Sequence, residues 1–435
     1  MWPLKNNYIH MKEEFLHFIW KHKLYQHDSL FTNEGEPLQI LHPGQHNTHA
    51  GPDFFDARIR IGETLWAGNI EIHPRASDWN KHGHQNDPAY RNTILHVVGV
   101  DDVPVFNDLG SKVPLLVITW PEWIENNYET LIKSHDWIGC ASMLYQVDPF
   151  RIKFFLNGVV VERLKQKIDA ISNVLSGTKD DWGETFYCML ARNFGLRENA
   201  LPFEMVARSL PQSLLARHHD SLFQIEALFF GQAGLLGEEL FGDEYYLELR
   251  KEYRFLAVKY NLKPIAGHMW KFMRMHPGNF PTIRLAQFAA MVYQSRGLFT
   301  AVIEANNLMD LKQLFTVTAS EYWDSHYNFN KPSVSRKKTF GVQIFNLVII
   351  NVVVPFYFLY GESQNKLLLK DRALEILGQM PAEINSAMKR WAVAGIVAAN
   401  ALESQALLQL QRNYCEPKRC LECTIGHKII LHEPI

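Results

Sequence analysis

The chain has 435 residues, room for two to four domains of about 100–200 residues each. At 47% hydrophobic and 21% charged it can bury a sizeable core, which excludes wholesale disorder. A net charge of −2 excludes a globally basic nucleic-acid binder, so any polyanion must meet a local patch.

The first residues, MWPLKNNYIHMKEEF, hold no apolar stretch ahead of a small-residue cleavage site. No secretory signal is expected, and the expected location is the cytoplasm. Residues 10–26 (HMKEEFLHFIWKHKLYQ) read as a helix. Phe15, Leu16, Phe18 and Ile19 mark its apolar face, with Glu13 and Glu14 in its first turn. HPGQHNTHAGPD reads as loop. ARIRI alternates at strand period, and TLWAGNIEIH is a second strand after a turn at Gly62. SDWNKHGHQNDPAYRN is polar, with Ser77 placed as a helix N-cap. TILHVVGV is continuously apolar, the mark of a buried strand. VPVFNDLGSKVPLLVIT predicts a hairpin turning at residues 107–110.

From Asp148 onward, helical patterns separated by Gly, Pro and Asn dominate, without a repeat of fixed period. The apolar run VQIFNLVIINVVVPFYFLY, residues 342–360, approaches membrane-span length. Its Gln343, Asn346, Asn351 and Pro355 favour a buried core helix, with a span as the alternative, and no membrane partner is expected. Arg274, His276, Asn279 and Arg284 surround Pro277 and Pro281. That stretch reads as a helix–helix corner, or as a phosphate-contacting turn. The basic cluster KPSVSRKK, residues 331–338, reads as an exposed loop.

The chemistry concentrates between Gly51 and Val98. Residues two apart on a strand share a face, so Glu71 and His73 are neighbours while Ile70 and Ile72 face the core. Asp53 opens the preceding strand. If the two strands pair antiparallel, both carboxylates converge and suit Mg²⁺ or Mn²⁺. Glu13 or Glu14 then completes the site, and His73 orients water or offsets developing charge. The plainer reading makes Asp53 a turn residue and pairs Glu71 with Arg58 or Arg60.

Of the 19 histidines, His46, His49, His73, His82, His84 and His96 cluster here, with Asp78 and Asp87 among them. As ligands they favour Zn²⁺ or Mn²⁺. The alternative site is therefore a zinc centre of His46 or His49 with His82, His84 and Asp53, although no HExxH helix is present. Otherwise His82 and His84 belong to a solvated loop. His96 reads as a core histidine bonded to backbone. Trp79 reads as a packing anchor, with base stacking as the alternative.

Near the C-terminus, Cys415, Cys420, Cys423 and His427 offer four ligands for one tetrahedral zinc. An iron–sulfur cluster with Cys140 or Cys188 as distant fourth ligand competes, as do plain thiols.

The N-terminal order of helix, Asp-bearing strand, Glu-x-His strand and apolar strand resembles the PD-(D/E)XK nuclease superfamily. Pro52-Asp53 matches its Pro-Asp, and Glu71-Ile72-His73 matches its Glu-x-Lys with His73 where Lys is usual. Glu13 and Glu14 on the first helix and the strand LHVV fit the same plan, which covers about a quarter of the chain. The resemblance implies a metal-dependent nuclease acting on phosphodiester bonds in nucleic acid, with Asp53, Glu71, His73 and Glu14 in the catalytic site. A neutral imidazole at residue 73 supplies no fixed positive charge, which is the main departure. Some relatives in that superfamily carry iron–sulfur staples. The whole chain is also similar to a bacterial family of unknown function marked by GPDF, GNIEIH and SDWxxHxH.

The expected fold is therefore α+β. A nuclease-like α/β domain with a mixed sheet spans residues 1–147, an all-α domain 148–411, and a Cys/His metal staple 412–435. The alternatives in function are a zinc hydrolase of another substrate and a non-catalytic scaffold on a decayed nuclease fold.

Overall fold

A bulged hairpin sets the geometry of the N-terminal sheet. β4 (Phe54–Ile61) buries Phe54, Ala57, Ile59 and Ile61 and exposes the residues between, the period-two pattern of a strand with one wet face. One step breaks the period. Phe55 and Asp56 are both exposed, Asp56 has φ 55°, and the register with the next strand shifts between Phe54 and Ala57. An extra residue has bulged out, bending the strand where Asp53 enters it. β5 (Thr64–Arg75) returns antiparallel to β4, then runs parallel to β6 (Thr93–Val100), which runs parallel to β7 (Leu115–Val117). β6 is buried from Thr93 to Gly99, as its unbroken apolar run predicts. Gly68 permits the close approach of β5 to the start of β6: a Cβ there would stand 2.5 Å from the Asn92 carbonyl oxygen.

The computed structural model describes residues 12–27, 29–237 and 242–433. It is an α+β protein with a mixed sheet near the N-terminus and a mostly helical remainder. The short strands β1 (Leu30–Phe31), β2 (Pro37–His42) and β3 (Gln45–His46) complete the sheet in the order β1-β2-β4-β5-β6-β7, with β3 also on β4. β3 lies inside the stretch expected to be loop. β2 is mostly exposed, so little alternation marks it. The expected hairpin at residues 107–110 reduces to a single antiparallel bridge, Phe106↔Lys112, before the chain enters β7.

Helix α1 (Glu13–Lys21) buries Phe15, Leu16, Phe18, Ile19 and Trp20 and packs on β5. Residues 10 and 11 of the helix expected at 10–26 lie outside the described residues. A single turn of helix, α2 (Asp78–Lys81), follows β5. Ser77 precedes it but makes no cap; its hydroxyl and N–H bind Asp102 instead. Trp79 is fully buried among Ala76, Tyr90, Val98, Val105, Val113 and Leu115, and its indole N–H donates to the Phe106 carbonyl. It is a packing anchor with no face free for a base.

The chain divides into two compact units, Met1–Ile152 with Gln411–Ile435, and Lys153–Leu410. The tail expected to stand apart thus counts with the first unit. There helix α3 (Glu122–Lys133) meets the final helix, Thr424–Ile430: Asn127 donates to the carbonyls of Ile429, Ile430 and His432.

In the second unit, Val342–Ser363 is the one helix among the described residues long and apolar enough to cross a membrane, and 67% of its apolar window is buried within the protein. A π turn interrupts it at Ile349–Val353, where the Val354 N–H reaches back to Ile349. The next residue, Pro355, has no N–H to offer Ile350. Half-buried Lys167 supplies the missing donor, with Nζ 3.1 Å from the Ile350 carbonyl. Residues 331–338 are not simply an exposed basic loop: Lys338 is buried, donates to the Asp324 and Arg336 carbonyls, and lies over the Tyr327 ring. Arg284 is likewise buried and donates to Asn279 and Gln287.

Truncating Trp79 to Ala removes the largest side chain under α2 and orphans the Phe106 carbonyl. We expect destabilisation by about 3–5 kcal/mol, read as a lower urea midpoint for the first unit.

Candidate metal centre

The bulge in β4 brings Asp53 against β5, and two reciprocal hydrogen bonds hold it there. The Asp53 N–H donates to Glu71 Oε2 at 3.1 Å, and the Ile72 N–H donates to Asp53 Oδ2 at 2.9 Å. The carboxylates expected to converge are thus neighbours. The alternative ion pairs do not form: Arg58 and Arg60 sit opposite Ala67 and Leu65, toward the Gly62 turn and away from Glu71.

Helix α1 adds a third side. His17 Nε2 lies 3.2 Å from Asp53 Oδ2, and Glu13 lies 3.9 Å from His17. The spacing i, i+4 puts Glu13 and His17 on one helix face, and the ligand atoms of Glu13, His17 and Asp53 all fall within 4.8 Å of one another. Glu14 is one step round the helix, exposed, and on the wall of a neighbouring cleft. The acid that α1 brings to the site is therefore Glu13, not Glu14. Neither residue pattern nor composition marked His17; only the i, i+4 relation to Glu13 did.

The other oxygen of Glu71 faces histidines. Oε1 lies 3.1 Å from His84 Nε2 and 3.5 Å from His73 Nε2. His73 Nε2 in turn lies 3.0 Å from His82 Nδ1, and its Nδ1 lies 2.8 Å from His96 Nε2. His73, His82 and His84 bring their ring nitrogens within 4.8 Å of one another. Gly83, at φ 80°, ends α2 in the left-handed region and turns the chain between His82 and His84. The His84 ring stacks on Tyr90 at 3.7 Å and meets Trp79 edge-on. His96, expected to bond backbone, bonds His73 instead.

The zinc set imagined from His46 or His49 with His82, His84 and Asp53 is not assembled as such. His46 stands beside His17, with ring centroids 5.6 Å apart. His49 is exposed in its loop. The third imidazole beside His82 and His84 is His73.

Burial, and then the charge of Asp53, pushes the Glu71 carboxyl up to about 9. Glu13 moves up for the same two reasons. Burial alone would lower His17, but its bond and charge interaction with Asp53 outweigh it and raise the imidazole. Burial, followed by the neighbouring His96 and His84, pulls His73 down to about 2, and burial pulls His96 to about 3. His73 is therefore neutral at any ordinary pH. His17 Nε2 and His84 Nε2 are buried and form no well-aligned hydrogen bond although each lies close to a carboxylate oxygen. Buried Glu71, half-buried Asp53 and Glu13, and the imidazoles beside them form a donor set suited to divalent cations.

A cleft of about 800 Å³ borders His17 and His46. Lys12, Lys21, Lys418 and Arg419 line it, together with Glu14, Glu416 and Glu422.

At the tail, Cys415 ends a π turn, Cys420 begins a 3-10 turn, and Cys423 precedes the final helix. All five cysteines are free. Cys140 is coupled to this group: burial first, then Cys423 and Cys420, raise its thiol to about 12, and burial first, then Cys140, raises Cys415. His427, expected as the fourth ligand, gives its Nε2 to the Leu421 carbonyl and packs against Phe18 and His22. Cys188 is buried in the second unit, apart from this group.

These shifts set opposite slopes of stability against pH in the metal-free protein. The depressed histidines, His73 and His96, remain neutral while the unfolded chain binds protons below 6.5, so stability rises up to that pH. Glu71 stays protonated between 4.5 and about 9 while the unfolded chain ionises, so stability falls across that window. Glu13 and His17 shift in the same sense as Glu71. We expect a maximum in thermal midpoint near pH 6.5, and a shallower alkaline fall in Glu71→Gln.

No curated protein and no solved structure matches the chain. A family model does match, over residues 13–386, and the chain belongs to that family, described as "Protein of unknown function (DUF2851)".

Proposed function

We propose that the protein is a metal-dependent, nuclease-like hydrolase of phosphodiester bonds in nucleic acid. The observation that carries this reading is the pair of carboxyl groups, Asp53 and Glu71, fixed side by side on adjacent strands with Glu13 and His17 above them. The reading is also supported by the sequence resemblance to the PD-(D/E)XK plan, although three short strands, β1–β3, stand between α1 and the strand that Asp53 enters.

A divalent ion, Mg²⁺ or Mn²⁺, bound by Asp53 and Glu71 supplies an electrophile for the phosphate and acidifies water. The chain's own groups do the rest. Reciprocal backbone bonds hold Asp53 and Glu71 in register. Glu71 carries a proton in the metal-free site at neutral pH, so cation uptake releases one. His17, whose proton affinity is raised, sits at the cleft and suits proton delivery. Lys12, Lys21 and Lys418 along the cleft, beside the Arg419–Glu422 ion pair, are the local basic groups a polyanion would meet on a chain of net charge −2. A zinc hydrolase of another substrate is the second reading, favoured by the trio His73, His82 and His84.

The test is cleavage of single- and double-stranded DNA and RNA by purified protein with Mg²⁺ or Mn²⁺. We expect metal-dependent cleavage that falls about 100-fold or more in Asp53→Ala and in Glu71→Ala, with unchanged circular dichroism. Absence of cleavage on all four substrates sinks the proposal and leaves a scaffold on a decayed nuclease fold.

For the tail we propose a structural zinc held by Cys140, Cys415, Cys420 and Cys423, in a reducing cytoplasm that keeps the thiols free. Elemental analysis is expected to find zinc in a colourless protein, lost together with thermal stability in Cys420→Ser. A brown protein containing iron would make it an iron–sulfur staple instead.

A further inference from the structure

We infer that His73, His82 and His84 form a second cation site that shares Glu71 with the first, so that one carboxylate bridges two ions. The inference rests on reading Asp53 and Glu71 as metal ligands and extends it to groups that reading leaves unused.

The geometry is that of a ligand shell. Donors around a zinc at about 2.0–2.1 Å stand roughly 3.3 Å apart at the tetrahedral angle. Here His73 Nε2 lies 3.0 Å from His82 Nδ1, Glu71 Oε1 lies 3.5 Å from His73 Nε2, and Glu71 Oε1 lies 3.1 Å from His84 Nε2. The three imidazole nitrogens are mutually within 4.8 Å. The three imidazoles thus form one mutually close group, and Glu71 Oε1 reaches two of its members.

Hydrogen bonding alone leaves this arrangement incomplete. His84 is 7% exposed, yet its Nε2 has no hydrogen-bond partner and points toward Glu71. A buried ring nitrogen without a partner costs free energy that a cation recovers. In the tautomer in which His73 Nδ1–H donates to His96 Nε2, the His73 Nε2 lone pair faces His82 and Glu71. Three imidazoles and one carboxylate select a transition ion, Zn²⁺ or Mn²⁺, over Mg²⁺. Exposed His82 is the side from which the ion enters.

Glu71 is the hinge of the pair. Oε2 faces Asp53 and Oε1 faces the histidines. A carboxylate so divided suits the two-ion clamp that spans a phosphate.

The experiment is a count of Mn²⁺ bound to the chelated full-length protein, with electron paramagnetic resonance to detect exchange coupling between neighbouring ions. Mn²⁺ is used because the tail thiolates discriminate against it. We expect two Mn²⁺ per chain with a coupled spectrum. His82→Ala, an exposed change that leaves the core intact, is expected to lose one ion and convert the spectrum to that of isolated Mn²⁺. His84→Ala and Asp53→Asn are each expected to do the same. One ion in the unaltered protein, lost in Asp53→Asn and indifferent to His82→Ala, overturns the second site while sparing the first. One ion lost in His82→Ala and kept in Asp53→Asn overturns the bridged pair by removing its other half. Two ions without coupling overturn the bridge.

Discussion

The site depends on a pair of hydrogen bonds that cross from one strand to the next: Asp53 N–H to Glu71, and Ile72 N–H to Asp53. Each carboxyl group accepts a backbone donor at the place the other side chain occupies. Neither acid can swing away without leaving a donor unmet, which costs about 1–3 kcal/mol when buried. The bulge at Phe55-Asp56 is the local cause, because an unbroken β4 would carry Asp53 past β5 on a different register. Everything proposed for this region follows from that lock.

The lock also gathers groups that are individually unfavourable. Glu71 is buried beside another acid, and His73, His84 and His96 are buried with no cationic partner. A fold selected for stability alone would fill these positions with apolar residues, as it does at Ile70, Ile72 and Val97 on the same strands. Dense, strained titratable groups within an otherwise well-packed sheet are the pattern expected of a functional site. Trp79 and Tyr90 hold the histidine side of it from beneath, so the core and the candidate centre share residues.

Much of this was legible in the sequence because strands and helices impose short periods. Period two placed Glu71 beside His73, and the antiparallel pairing that joins Asp53 to Glu71 needed only the turn at Gly62. What escaped were relations without a period. The choice of Glu13 over Glu14 rests on the rotation of α1 against the sheet, a tertiary matter. Cys140 reaches the tail thiols across more than 270 residues of chain, and His427 turns to a backbone carbonyl instead. Lys338 looked solvated from composition, but it serves carbonyl groups that packing had stranded. Long polar side chains are poor guides to exposure because their stems bury readily.

On the nuclease-like reading proposed here, His73 stands where the motif has a lysine, and its position argues what would supply that charge. A lysine two residues after the strand glutamate would carry an ammonium to the region between Glu71 and the incoming strand. His73 fills that region with an imidazole held near a pKa of about 2, which cannot carry a proton there. The same ring, however, turns its Nε2 toward His82 and Glu71. On the reading proposed above, an ion in the histidine pocket restores positive charge at the place the missing ammonium leaves empty. The substitution of His for Lys then exchanges a fixed charge for a bound one, and the neutral imidazole becomes the requirement of the chemistry rather than evidence of its decay.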